Sequence, residues 1–136
     1  MNKQLTKWSA QKGFTLIELM VVIAIVAILL AVALPAWQNQ VIRGHRAAAK
    51  SEMLEIANRQ QQFLLSNRSY TNTLSDLGGY ALPTDVASKY TPAITLGVGA
   101  VPTYSMTFTA IGSQASDGNL TLTSEGVKTP ADKWTR

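Results

Sequence analysis

The chain has 136 residues, with 12 lysines and arginines against eight acids, one histidine and no cysteine. That inventory excludes disulfides and thiolate metal sites, and the lone His45 has no companion histidine or cysteine with which to bind a metal or run acid–base chemistry. The formal charge of +4 is weighted to the front, where Lys3, Lys7 and Lys12 stand without an acid.

From Phe14 to Leu34 the chain runs for 21 residues in which only Thr15 and Glu18 are polar. At 1.5 Å per residue this is about 31 Å of helix, matching the roughly 30 Å hydrocarbon core of a bilayer. The preceding lysines keep the N-terminus cytoplasmic and direct the rest of the chain outward. A cleavable secretory signal has a shorter apolar region with its small-residue site after it. Here the small residue, Gly13, comes first. Glu18 is the residue that needs a reason, because a lone carboxylate within a span costs about 2.5–3.5 kcal/mol on insertion scales.

The string Gly13-Phe14-Thr15-Leu16-Ile17-Glu18, behind a basic leader and ahead of an apolar run, resembles the processing site of type IV pilins and related pseudopilins. The resemblance implies cleavage between Gly13 and Phe14 by a membrane prepilin peptidase, and N-methylation of Phe14 by the same methyltransferase activity. It equates Glu18 with the family's conserved glutamate and Pro35 with its mid-helix proline. On this reading the amine of one subunit's Phe14 meets the Glu18 carboxylate of another, two charges that are costly when buried alone and tolerable as a pair. Pro35 removes one helical hydrogen bond and crowds the carbonyl of Ala31, so a kink is expected there. Many relatives carry a glycine about two turns earlier; the stretch Ile25–Ile28 has none, which favours bending over melting.

Residues 36–65 continue as the amphipathic half of the same helix. Met53, Ile56, Ala57, Gln60, Phe63 and Leu64 recur at spacings of three and four, and Glu55 and Arg59 form an i,i+4 pair in the favourable order. Arg43, Arg46 and Lys50, around His45, form a basic cluster past the membrane exit. It reads as a solvated collar, or as a contact patch for acidic groups or nucleic acid. Residues 66–92 form a loop rich in Asn, Ser, Thr, Gly and Asp, with one helical turn near Leu74–Leu77. Residues 93–126 hold three strand-like runs, Ala93–Val98, Tyr104–Ile111 and Asn119–Ser124, joined by turn-forming segments as in an antiparallel meander. Residues 127–136 remain as a tail.

Further likeness, to minor pilins of the PilE type, lies in Asn67–Thr71, Leu77-Gly78, Tyr104–Ala110 and Asp117–Gly126. The expected fold is therefore α+β, the type IV pilin fold: a long N-terminal helix, half transmembrane and half amphipathic, packed on a small antiparallel sheet of three to four strands. Relatives commonly close the C-terminal region with a disulfide whose second cysteine precedes a tryptophan. Asp132-Lys133-Trp134 keeps the tryptophan and lacks the cysteine, so the tail is expected to be the most mobile part.

Cleavage at Gly13 would remove three of the 12 basic residues and no acid, leaving nine against eight and a net charge of +1. A generally basic surface for nucleic acid is therefore not supported, although a local patch at Arg43, Arg46, Lys50, Arg59, Lys133 or Arg136 stays open. No catalytic constellation, phosphate loop, cofactor or metal site is expected. Asp117-Gly118-Asn119 supplies too few oxygens for calcium unaided. The reading is a non-enzymatic minor pilin that sits in the inner membrane with its C-terminal domain periplasmic and then joins an extracellular filament for adhesion or twitching motility. Its expected partners are other pilin subunits, the peptidase, an inner-membrane assembly platform and lipid. Rival readings are a type II secretion pseudopilin, a major pilin and a DNA-uptake pilin.

Overall fold

The computed structural model describes residues 13–135, so the leader lysines and Arg136 lie outside it. The chain divides into two compact units, one ending at Gln38 and one running from Asn39 onward. A single 52-residue helix, α1 (Leu16–Asn67), forms the first and opens the second.

In the first unit Thr15 caps α1. Its hydroxyl accepts the Glu18 N–H at 3.3 Å and its carbonyl accepts the Leu19 N–H at 3.2 Å. Thr15 and Glu18 thus occupy the two key positions of a capping-box sequence, and a carboxylate in the first turn also favours the helix dipole. The stretch behind it reaches a mean hydropathy of 3.1 and buries none of that window within the chain, so it is long and apolar enough to cross a membrane. Pro35 lies inside α1, which continues past it.

In the second unit α1 buries Arg46, Ala49, Met53, Ile56 and Gln60. The spacings are three and four, which is one face of a helix. This face extends the expected stripe toward the N-terminus and demotes Ala57, Phe63 and Leu64 to its partly buried flank. Gln60 is fully buried for a reason: its amide donates to the Thr71 carbonyl at 2.6 Å and accepts the Thr71 N–H at 3.2 Å, pinning the following loop. The helix stops where Arg68 turns left-handed (φ 57°) and its N–H reaches the Leu64 carbonyl at 2.7 Å, a C-cap geometry that glycine normally supplies.

The loop contains the expected single turn, a 3-10 helix at Leu74–Asp76, and also a short helix, α2 (Thr84–Ala87), launched by Pro83. Four antiparallel strands follow in sequential order: β1 (Tyr90–Leu96), β2 (Tyr104–Ala110), β3 (Leu120–Thr123) and β4 (Lys128–Thr129). β1 begins three residues before the Ala93 start expected from sequence. The added residues include Pro92, which is tolerated because β1 is an edge strand. Gly97 closes the β1–β2 turn where a Cβ would stand 1.9 Å from the Thr103 hydroxyl, so no other residue fits without movement.

Register places Pro92, Phe108 and Leu120 in one row and Ile94, Met106 and Leu122 in the next. Tyr104, Met106, Phe108, Leu120 and Leu122 are buried with Ala49, Met53 and Ile56 of α1, and the Tyr70 ring meets Tyr104 edge-on at 4.8 Å. The alternate residues, among them Thr91, Thr107, Thr109 and Thr121, form the sheet's other face. The tail carries short elements of its own. Residues after Gly126 form β4 and a short helix, α3 (Ala131–Thr135), with Trp134 packed partly against the core.

Candidate functional site

At the N-terminal junction Gly13 and Phe14 precede the first helical turn, and Phe14 is 84 % exposed. A Cβ on Gly13 would meet nothing within 4 Å among the described residues. No contact among the described residues therefore calls for glycine here. Glu18 is exposed one turn into α1, with its side chain available to a partner.

The second cluster is centred on Asp117. A 3-10 segment, Gly112–Asp117, delivers it, and the segment ends at Gly118 (φ 84°). Asp117 is nearly closed off, with its side chain 4 % exposed. Oδ1 accepts from Arg46 Nη2 at 2.6 Å and from Lys133 Nζ at 3.0 Å. Oδ2 accepts from Arg46 Nε at 2.8 Å and from Gln114 Nε2 at 3.1 Å. Arg46 and Lys133 give the carboxylate three charge-assisted donors, and Gln114 shares its two amide hydrogens among Asp117, Ile42 and Tyr90, which leaves the oxygens little capacity to ligate a cation. Gln114 also reaches the Ile42 carbonyl and the Tyr90 hydroxyl, tying the cluster to α1 and β1.

Burial alone would raise the Asp117 carboxyl; the hydrogen bonds and charges of Arg46 and Lys133 outweigh it and hold the group below its ordinary value. Burial pushes the Tyr80 phenol upward, and its hydrogen bond to the Glu52 carboxylate pushes it further.

These contacts divide the expected basic patch. Arg46 is withdrawn from the surface and neutralised by Asp117, a correction to its reading as an exposed collar residue. The reason is its place on the buried stripe, three residues before Ala49. Arg43 stays exposed, while Lys50 is half-buried and donates to the Lys133 carbonyl at 3.1 Å. Arg59 is held by Glu55 at 2.6 Å, as its i,i+4 spacing indicates. A cleft of about 320 Å³ opens beside the cluster, lined by Arg43, Arg46, Lys133, Asp117, Asp132 and neutral neighbours. Within the tail, the Lys128 ammonium stands 5.3 Å from the Trp134 ring centre. No group of three or more potential metal ligands occurs among the described residues.

Residues 8–34 match the prokaryotic N-terminal methylation motif, and residues 35–123 match the family described as type IV minor pilin ComP, DNA uptake sequence receptor. The chain belongs to the type IV pilin family. It is 36 % identical over 116 residues to the type IV major pilin protein PilE1 of Neisseria gonorrhoeae, covering 82 % of this chain and 67 % of that protein. A fimbrial protein of Neisseria meningitidis is 37 % identical over the same length, covering 82 % of this chain and 65 % of the relative. The prepilin peptidase-dependent protein D of Escherichia coli is 38 % identical over 93 residues, covering 67 % of this chain and 61 % of the relative. This pilin thus spans about two thirds of the length of these relatives. As a pilin it is a membrane-anchored subunit that assembles with other pilins after prepilin processing, and its apolar N-terminal helix suits both states.

Proposed function

We propose that this pilin is a minor, non-enzymatic subunit of a type IV pilus. It waits in the inner membrane with its N-terminus cytoplasmic and its C-terminal domain periplasmic. It is cut between Gly13 and Phe14, methylated on Phe14, and moved by an assembly platform into a filament that serves adhesion and twitching motility. The observation that carries the minor-subunit reading is the match of residues 35–123 to a family described by a minor pilin.

The mechanics follow from the apolar half of α1. Moving its side chains from lipid into a bundle of like helices changes little in hydrophobic terms, since both surroundings are dry. Glu18 then sets register, because its carboxylate is tolerable in that bundle only beside a neighbour's Phe14 amine. Glu18→Ala should therefore leave processing and membrane insertion intact while filament incorporation falls. The copy number is tested by mass spectrometry of sheared pili, quantifying this subunit against total pilin. A share of a few per cent supports the minor-pilin reading, and dominance would make it a major pilin. Retention of the processed chain in the envelope would favour a type II secretion pseudopilin.

A second reading, DNA uptake, is favoured by the description of the same family, by the cleft that Arg43 and Lys133 line, and by Lys128 stacked over Trp134. Such a site would bind phosphates with a steep salt dependence. Replacing Arg43 and Lys128 with glutamine should weaken DNA binding and flatten the salt slope by about two. DNA binding that is unaltered by both changes, or absent from the wild-type chain, would remove this reading.

A further inference from the structure

We propose that Asp117 is a non-covalent latch that holds residues 127–135 closed over the outer edge of β3 and releases them in acid. Among the described residues the tail's other ties are short or partial, Trp134 packing only partly against the core. β4 pairs with β3 through only Thr121↔Thr129 and Leu122↔Lys128, and α3 has five residues, none of them buried. The chain has no cysteine with which to tie it down. What the tail does have is Lys133, whose ammonium lies 3.0 Å from Asp117 Oδ1 and whose carbonyl accepts Lys50 Nζ at 3.1 Å.

The latch is anchored on the side away from the tail. Arg46 grips both oxygens of Asp117, and Gln114 links the same carboxylate to the Ile42 carbonyl and the Tyr90 hydroxyl. The charged and titratable groups around the carboxylate are Arg43, Arg46 and Lys50 on α1, Asp132 and Lys133 on α3, and Tyr90 on β1. Asp132 is exposed, whereas Asp117 is buried among the cations. Protonating Asp117 therefore leaves Arg46 and Lys133 without their shared counter-charge, and one of its acceptor positions becomes a donor facing donors.

The direction follows from the lowered carboxyl of Asp117. A group held below its unfolded value, about 3.9 for aspartate, stabilises the closed state above that pH and loses the contribution as pH falls through the folded value. The latch is thus shut at neutral pH and opens only in acid below about pH 4. Opening uncovers the ladder groups of β3 that β4 occupies, creating a free strand edge that can pair with another chain.

The test uses the full chain in detergent micelles with Trp8→Phe and Trp37→Phe, so that Trp134 is the sole tryptophan emitter. Hydrogen exchange is followed for residues 127–135 and, as the internal reference, for β2. The wild-type chain should show a Trp134 emission change below about pH 4 that precedes loss of β2 protection. At pH 7, Lys133→Met should speed tail exchange by about tenfold or more while β2 stays protected, because the Arg46–Asp117 pair remains. Asp117→Asn should do the same and abolish the separate acid step. Tail exchange at the wild-type rate in Lys133→Met overturns the proposal even if Asp117→Asn fails to fold. Simultaneous loss of tail and β2 in acid overturns it as well.

Discussion

Replacing Ile56 with alanine tests whether α1 forms the hydrophobic wall of the head. Ile56 is 0 % exposed and belongs to the buried set that joins α1 to the sheet. The change deletes three carbons, worth about 2.4 kcal/mol at roughly 0.8 kcal/mol each. The cavity left behind adds about 1–2 kcal/mol, which puts the total near the upper half of the usual range of about 2–5 kcal/mol. Leu54 provides the control: it lies two residues away on the same helix and is 43 % exposed. Leu54→Ala should cost about 1 kcal/mol or less. For a head of about 100 residues each kcal/mol moves Tm by about 4–8 °C, so Ile56→Ala should melt about 15–30 °C below wild type and Leu54→Ala only a few degrees below. Near-ultraviolet circular dichroism in micelles is the suitable assay, because buried Tyr70, Tyr90 and Tyr104 report head packing and the apolar half of α1 is silent. Equal shifts for the two variants, or a loss below about 1 kcal/mol for Ile56→Ala, would refute the packing argument.

Gln60→Leu should destabilise the head by about 2–4 kcal/mol, since it strips partners from both backbone groups of buried Thr71; denaturant midpoints at constant m would show it. Arg68→Gly should stabilise by about 0.5–1 kcal/mol in the same assay, because glycine adopts the left-handed cap without the Cβ penalty. Gly13→Val should leave head stability unchanged while the chain accumulates with its leader attached, visible as a mass shift on purified protein.

Some of this was readable before the structure because it rests on local chemistry. The apolar length from Phe14 to Leu34, the placement of Gly13 and Glu18, the three-four spacing through Met53 and Ile56, and the alternation around Tyr104, Met106 and Phe108 are each confined to one stretch of chain. The strand edges were less legible. Pro92 breaks a strand by propensity, and only its position on the sheet's edge makes it acceptable. The Asp117 cluster could not be read at all from spacing, since Arg46 lies 71 residues from its carboxylate partner and Lys133 lies 16 residues beyond it. One signal did point toward it. Arg46 falls in phase with Ala49, Met53 and Ile56, and a charge on the buried face of a helix demands a counter-charge from elsewhere in the fold.

The most direct test of the account is the N-terminal residue of this subunit in filaments sheared from cells, identified by peptide mass spectrometry. The account predicts a chain that begins at Phe14 and carries one methyl group on its amine. Filament-borne chains that still begin at Met1, or that are cut anywhere other than after Gly13, would contradict it.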